Sequence, residues 1–251
     1  MPKLVAPGME EISIKGTNFK YSAASIDDMM EIASEFTLVT LVIDESGSVD
    51  TFASAMENAI REVISKCVNK NNPKSENLVL RILKFNNYVT EYHGFKPAHA
   101  CDPSSYHGFL NPGGMTALYE ASEQAVNASK DYGKQLMDQG IATNALVVIF
   151  TDGVNNVQTS TPESVRRSIE KVRQEEALTN ITTILIGVNT KNCQSILEQF
   201  VKDAGINQFE TIENTDSKSF GALANMVSQS ISRSSQNIHG NGSSAPISLS
   251  I

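Results

Sequence analysis

Cysteine is scarce in this chain of 251 residues. There are three, Cys67, Cys101 and Cys193, far apart and odd in number. That count implies no disulfide framework, and the expectation is reduced thiols in a cytoplasmic protein. Positive charge is short as well: Lys and Arg total 20 against 28 Asp and Glu, a formal net charge of −8. An acidic surface repels phosphate, so no nucleic-acid partner is expected. No stretch approaches the ~18 consecutive apolar residues of a membrane span, so no membrane association is expected either. The N-terminal "MPKLVAPGMEEISIKG" has no sustained apolar run after its lysine, and no secretory signal is read there. What is present is an ordinary globular balance, 40% hydrophobic and 19% charged, in a length that suits one large domain or two small ones.

The periodicity alternates. "LVTLVID", 38–44, reads as a buried strand, and Phe52, Met56, Ile60, Val63 and Cys67 then recur at helical spacing. "NNPKSEN", 71–77, stops that helix. "LVLRILKF", 78–85, and "YVTEYHGF", 88–95, joined through Asn86-Asn87, predict a hairpin and hence an antiparallel strand. Leu118, Ala121, Ala125, Ala128, Tyr132 and Leu136 mark a second helix. "ALVVIF", 145–150, is another buried strand. A third helix, with Val165, Ile169 and Val172, starts near Thr161-Pro162, where proline suits the first turn. "ITTILIGV", 181–188, is a strand, followed by a helix ending by Gly205, a short strand at "QFETI" and a last helix with Phe220, Leu223, Val227 and Ile231. Strands apolar on both faces and alternating with helices predict an α/β fold, with a mostly parallel central sheet, one antiparallel edge strand and helices on both faces.

The expected organisation is an N-terminal extension over 1–35, a domain over 36–233 and a Ser/Gly-rich tail over 234–251. In the extension "ISIKGTNFKYS" is compatible with a strand pair and "IDDMMEIA" with a short helix. The tail is expected to be mobile, with its apolar "PISLSI" end as an alternative sheet-adding peptide.

Three strand ends carry chemistry. Asp44 closes the first central strand and is followed by Ser46 and Ser48. "PGGMT" puts Thr116 at the start of a helix, and "FTDG" puts Asp152 at the end of another core strand. In open α/β sheets ligands bind at the carboxyl ends of the strands. If those strands are neighbours, two carboxylates and three hydroxyls converge. An all-oxygen set of that kind suits a hard cation such as Mg²⁺, which keeps water in its remaining positions. Each element also has a plainer reading: Ser48 and Thr116 as helix caps, and Asp152-Gly153 as a turn.

"DESGS", "GGMT" and "FTDG", in this order and on these elements, resemble the metal-ion-dependent adhesion site (MIDAS) of the von Willebrand factor type A (vWA) domain. The resemblance covers roughly residues 36–233 and is to the stand-alone intracellular type found in bacteria and phages. It implies a three-layer, Rossmann-like fold with strand order 3-2-1-4-5-6. It further implies that Asp44, Ser46, Ser48, Thr116 and Asp152 hold Mg²⁺ (or Mn²⁺), directly or through water, and that an open metal position takes a carboxylate from a protein partner. Neutral hydroxyl ligands leave such a metal electrophilic. Glu45 falls at a variable position and is read as solvent-facing, with repulsion of an acidic partner as the alternative.

Enzyme chemistry is not expected. The DxDxT loop of haloacid-dehalogenase-type phosphatases would need an acid where Ser46 stands. GxSxG and GxxxxGK[ST] are absent. His93, His99, Cys101 and His107 share one loop-rich stretch, but without the paired short intervals of zinc folds they are read as loop residues. The expectation is a non-enzymatic module for protein–protein interaction through a metal-bridged carboxylate. The alternative is an assembly component whose metal stabilises the fold and whose tail mediates association.

Overall fold

The computed structural model describes residues 9–69 and 75–236. The expected tail from 237 onward and the turn through 70–74 lie outside the described residues.

The core is built on β3 (Glu35–Asp44), β4 (Leu78–Phe85), β6 (Ala142–Thr151) and β7 (Asn180–Val188). Their side chains are buried on both faces, which is what continuous Val/Ile/Leu runs require when helices cover a sheet from both sides. Alternate residues of one strand enter different cores. Leu38 and Val42 pack among residues of α3 (Leu118–Asp138), α4 (Pro162–Gln174) and α5 (Gln194–Ala204). Val39, Leu41 and Ile43 pack among residues of α2 (Ala53–Cys67) and α6 (Ser217–Gln236). This is the period of two of a strand, read out as two cores.

The remaining strands are β1 (Met9–Ser13), β2 (Lys20–Ala24), β5 (Val89–Pro97) and β8 (Gln208–Ile212), and α1 (Ile26–Ile32) follows β2. The sheet order is β1-β2-β5-β4-β3-β6-β7-β8. From β3 onward this is the expected 3-2-1-4-5-6, with β5 antiparallel to β4 and the other neighbours parallel. β5 is not the last strand, however. The strand pair read in the N-terminal segment is present as β1 and β2, and β2 lies parallel against β5 at Ala23–Phe95. Gly94 permits this approach, because a methyl group there would run into the Ser22 carbonyl. Glu91 then accepts from both the amide and the hydroxyl of Ser22, and from buried Arg81.

The helix boundaries follow local chemistry. Thr161 caps α4 reciprocally with Ser164, and Pro162 occupies the first turn. α6 runs to Gln236, past the Ser234 boundary of the expected tail, because Ser234 and Ser235 are buried and Asn144 Nδ2 donates to the Ser234 carbonyl at 2.9 Å. Among the described residues no helix is long and apolar enough to cross a membrane.

Candidate metal centre

The chain runs from β3 through α2 to β4 on one side, and later from β5 through α3 to β6 on the other side of β3. The boundary between β3 and β6 is therefore the switch point, where a crevice opens at the strand ends. Register places Asp44 level with Phe85 of β4, and Ile43 level with Phe150 of β6. Asp44, Thr151 and Asp152 consequently emerge side by side.

Hydrogen bonds join four of the five sequence-predicted residues, Asp44, Ser46, Ser48 and Asp152. Asp44 is fully buried; its Oδ1 accepts from the Ser46 amide at 2.8 Å and its Oδ2 from Thr151 Oγ1 at 2.7 Å. Ser46 Oγ lies 3.3 Å from Ser48 Oγ, and Ser48 Oγ donates to Asp152 Oδ1 at 2.8 Å. Thr116 arrives on a third segment, laid across the first: Gly47 N donates to the Gly114 carbonyl at 3.2 Å and Gly113 N to the Glu45 carbonyl at 2.9 Å. Gly114 has φ +82°, a conformation that favours glycine, and a side chain there would also displace Asn87 Oδ1. Loop 113–117 is thereby held between the β3 end and the β4–β5 turn.

The plainer readings of the hydroxyls do not hold. α2 begins at Ala53 behind a short 3-10 turn at Gly47–Thr51, and neither Ser46 nor Phe52 makes a side-chain cap. α3 is preceded by Ala117, again with no side-chain cap, so Thr116 is not capping it. The hydroxyls of Ser46 and Ser48 face the carboxylates instead.

Burial pushes the Asp44 carboxyl up to about 6, against the opposing hydrogen bonds from Thr151 and Ser46. Burial raises Asp152 as well, and its bond from Ser48 opposes this. Among the described residues no ion pair involves either aspartate. Two acids held together in a desolvated crevice, with only neutral donors around them, are a charge deficit that a cation would fill. The set is all oxygen, as a hard divalent ion requires. Among the described residues no group of three or more His, Cys, Asp and Glu could hold a metal. Two acids are fewer ligands than a hard divalent ion takes, so an ion here would need neutral oxygens beside them.

Three neighbours were not read from the sequence as parts of the site. Thr151 orients Asp44. Asn156 grips Thr116 at both ends: its Oδ1 accepts from Thr116 N at 2.6 Å, and its own amide donates to the Thr116 carbonyl at 3.0 Å. Asn155 Oδ1 accepts from Tyr119 N at 3.1 Å, fixing the first turn of α3. The threonine stood beside Asp152 in the motif itself; the asparagines carried no spacing signal.

Glu45 is neither solvent-facing nor free to repel a partner. It is buried, and its Oε2 pairs with Lys84 Nζ at 2.8 Å and accepts from Asn111 N at 3.1 Å. His93, expected in a loop, lies on β5, where its Nδ1 bonds the Gly94 carbonyl and its Nε2 the Tyr106 hydroxyl, both at 2.8 Å.

Residues 39–229 match the von Willebrand factor type A domain, and the chain belongs to that family. Solved structures with the same fold include a minor pilin, PilB, of Streptococcus sanguinis (TM-score 0.55, 12% identity, covering 83% of this chain and 64% of that one). The pilus adhesin SpaC of Lactobacillus rhamnosus GG, in an open conformation, gives TM-score 0.53 at 12% identity over 78% of this chain and 30% of that one. Proximal thread matrix protein 1 of the mussel byssus, with a zinc-occupied MIDAS motif, gives 0.50 at 18% identity over 78% and 47%. The chain spans less than two thirds of each of these proteins, and at such identities the likeness shows the fold alone. No curated protein matches the chain.

Proposed function

We propose that this vWA domain is a non-enzymatic interaction module that holds a divalent cation, Mg²⁺ or Mn²⁺, and through it takes a carboxylate from a protein partner. The ligand set is Asp44, Ser46, Ser48, Thr116 and Asp152. The supporting observation is the hydrogen-bonded run Thr151–Asp44–Ser46–Ser48–Asp152 across the switch point, with hydroxyls that cap no helix. The bound ion would supply a positive centre with positions left for an anionic ligand. Asp44, locked by Thr151 and the Ser46 amide, sets the floor of the site. Ser48 and Asp152 form its exposed side, and Asn156 keeps Thr116 in place above it. The family is one of interaction modules, and the zinc-occupied motif in the byssus protein shows that a related fold takes a divalent ion. We further propose an intracellular location, supported by three cysteines that are all free.

Calorimetric titration of Mg²⁺ into wild type, Ser48→Ala and Asp44→Ala tests it. Saturable binding in wild type, lost in both variants while their circular dichroism is retained, is expected. Equal binding by all three proteins would sink the assignment.

A further inference from the structure

The mouth of the site is unlike the rest of the chain. The formal charge of the whole is −8, yet residues 86–88 and 111–117, on the Thr116 side of the site, and 153–161, after β6, contain no Asp, Glu, Lys, Arg or His. Glu45 is neutralised by Lys84 below the surface, and the nearby charges, exposed Asp50 in the Ser48 turn and Lys191 after β7, lie on other segments. Two large apolar side chains stand out on this neutral ground. Tyr88 is 77% exposed and Met115 is 46% exposed. The backbone beneath them is hydrogen-bonded. Asn87 Oδ1 accepts from Met115 N at 3.0 Å, Asn86 O accepts from Ala117 N at 2.8 Å, and Asn86 N donates to the Tyr88 carbonyl at 3.1 Å. The β4–β5 turn and the Thr116 loop are thus one latched unit, with Met115 next in sequence to a proposed ligand. An aromatic and a thioether side chain kept in water gain free energy when apolar groups cover them.

We propose that Tyr88 and Met115 form an apolar docking rim beside the metal, and that the partner is a peptide segment or loop carrying a single acidic residue flanked by aliphatic or aromatic ones. The proposal rests on the metal-bridge reading and adds to it the partner's chemistry. The charge pattern carries the choice. With two carboxylates facing a divalent ion, the site is neutral and accepts one anion. On the Tyr88–Met115 side, segments 86–88 and 111–117 offer no lysine or arginine to a second acid and no carboxylate to a basic residue. A polyacidic or basic partner therefore has nothing to engage there, whereas an apolar flank meets Tyr88 and Met115.

The test uses the full chain with Mg²⁺ and three capped tripeptides, Leu-Asp-Leu, Gly-Asp-Gly and Leu-Asn-Leu, followed by NMR or calorimetric titration. Leu-Asp-Leu is expected to bind about fivefold or more tighter than Gly-Asp-Gly, as burial of one leucine flank against the rim implies. In Tyr88→Ser/Met115→Ser that preference should disappear, with Gly-Asp-Gly affinity unchanged. Equal binding of the two acidic peptides by wild type, a preference that survives the double substitution, or no binding by any peptide would overturn the rim. Leu-Asn-Leu binding as well as Leu-Asp-Leu, with or without Mg²⁺ and still dependent on Tyr88 and Met115, would leave the rim standing and sink the metal bridge.

Discussion

Thr151 Oγ1 donates to Asp44 Oδ2 at 2.7 Å, from the last residue of β6 to the last residue of β3. Both side chains are fully buried. The bond aims one carboxylate oxygen across the sheet, while the Ser46 amide holds the other. Thr151→Val keeps the shape and removes the donor, leaving a buried oxygen short of a partner. A loss of about 1–3 kcal/mol is expected by urea denaturation in the absence of metal, and Thr151→Ser should recover most of it.

Asn156 acts at one remove from the proposed ligands. Its two bonds to Thr116 set where that residue sits, so Asn156→Ala should weaken Mg²⁺ binding by roughly 10–100-fold, the range for partners that orient metal ligands. Asn156→Asp retains an acceptor for the Thr116 amide and should lose much less. Calorimetry on the three proteins separates these outcomes, and equal affinities would remove Asn156 from the site.

The buried pair of Glu45 and Lys84 supports the same loop, since Lys84 Nζ also donates to the Phe109 carbonyl at 2.7 Å. Lys84→Met strands a carboxylate in the interior and should cost about 3–5 kcal/mol in a thermal or urea melt. Lys84→Met/Glu45→Gln should be markedly more stable than the single variant, because the uncompensated charge is gone.

His93 predicts an acid limb in the stability curve. Burial, with Lys96 adding to it, lowers its pKa from the ordinary 6.5 to about 3. The unfolded chain therefore binds a proton that the folded one refuses between those values. Its contribution is complete above pH 6.5 and is lost as the pH falls towards 3. His93→Gln removes that one titration. The stability gap between wild type and variant, from urea midpoints at pH 7 and pH 4.5, should shift in favour of the variant at the lower pH. A gap independent of pH would count against a neutral buried His93.

Much of the fold was legible because its signals are local. The runs at 38–44, 145–150 and 181–188 are apolar on both faces, and that pattern has few outlets besides a covered parallel sheet. Asn86-Asn87 between two strand patterns marked the hairpin. The N-terminal segment was less legible. Its strands are only half buried, and what docks them is an absence, the missing side chain of Gly94, together with a contact from Glu91 to Ser22 that is 69 residues away in sequence. Glu45 was misread for a similar reason. Between Asp44 and Ser46 a glutamate looks like a loop residue, and only the fold brings Lys84 beneath it.

The linear order of residues determined the elements, the covered sheet and the presence of oxygen donors just after three strand or loop ends, because propensity, period and turn chemistry act within a few residues. Which donors meet was decided only in three dimensions. The chain had to cross from β5 to the far side of β3 before Asp44 and Asp152 could share a crevice. Whether Ser48 and Thr116 cap helices depended on where α2 and α3 actually begin, which packing settled. The uncharged, apolar ground on the Thr116 side of the site likewise exists only as a surface, since segments 86–88 and 111–117 are separated in sequence and meet at one end of the sheet.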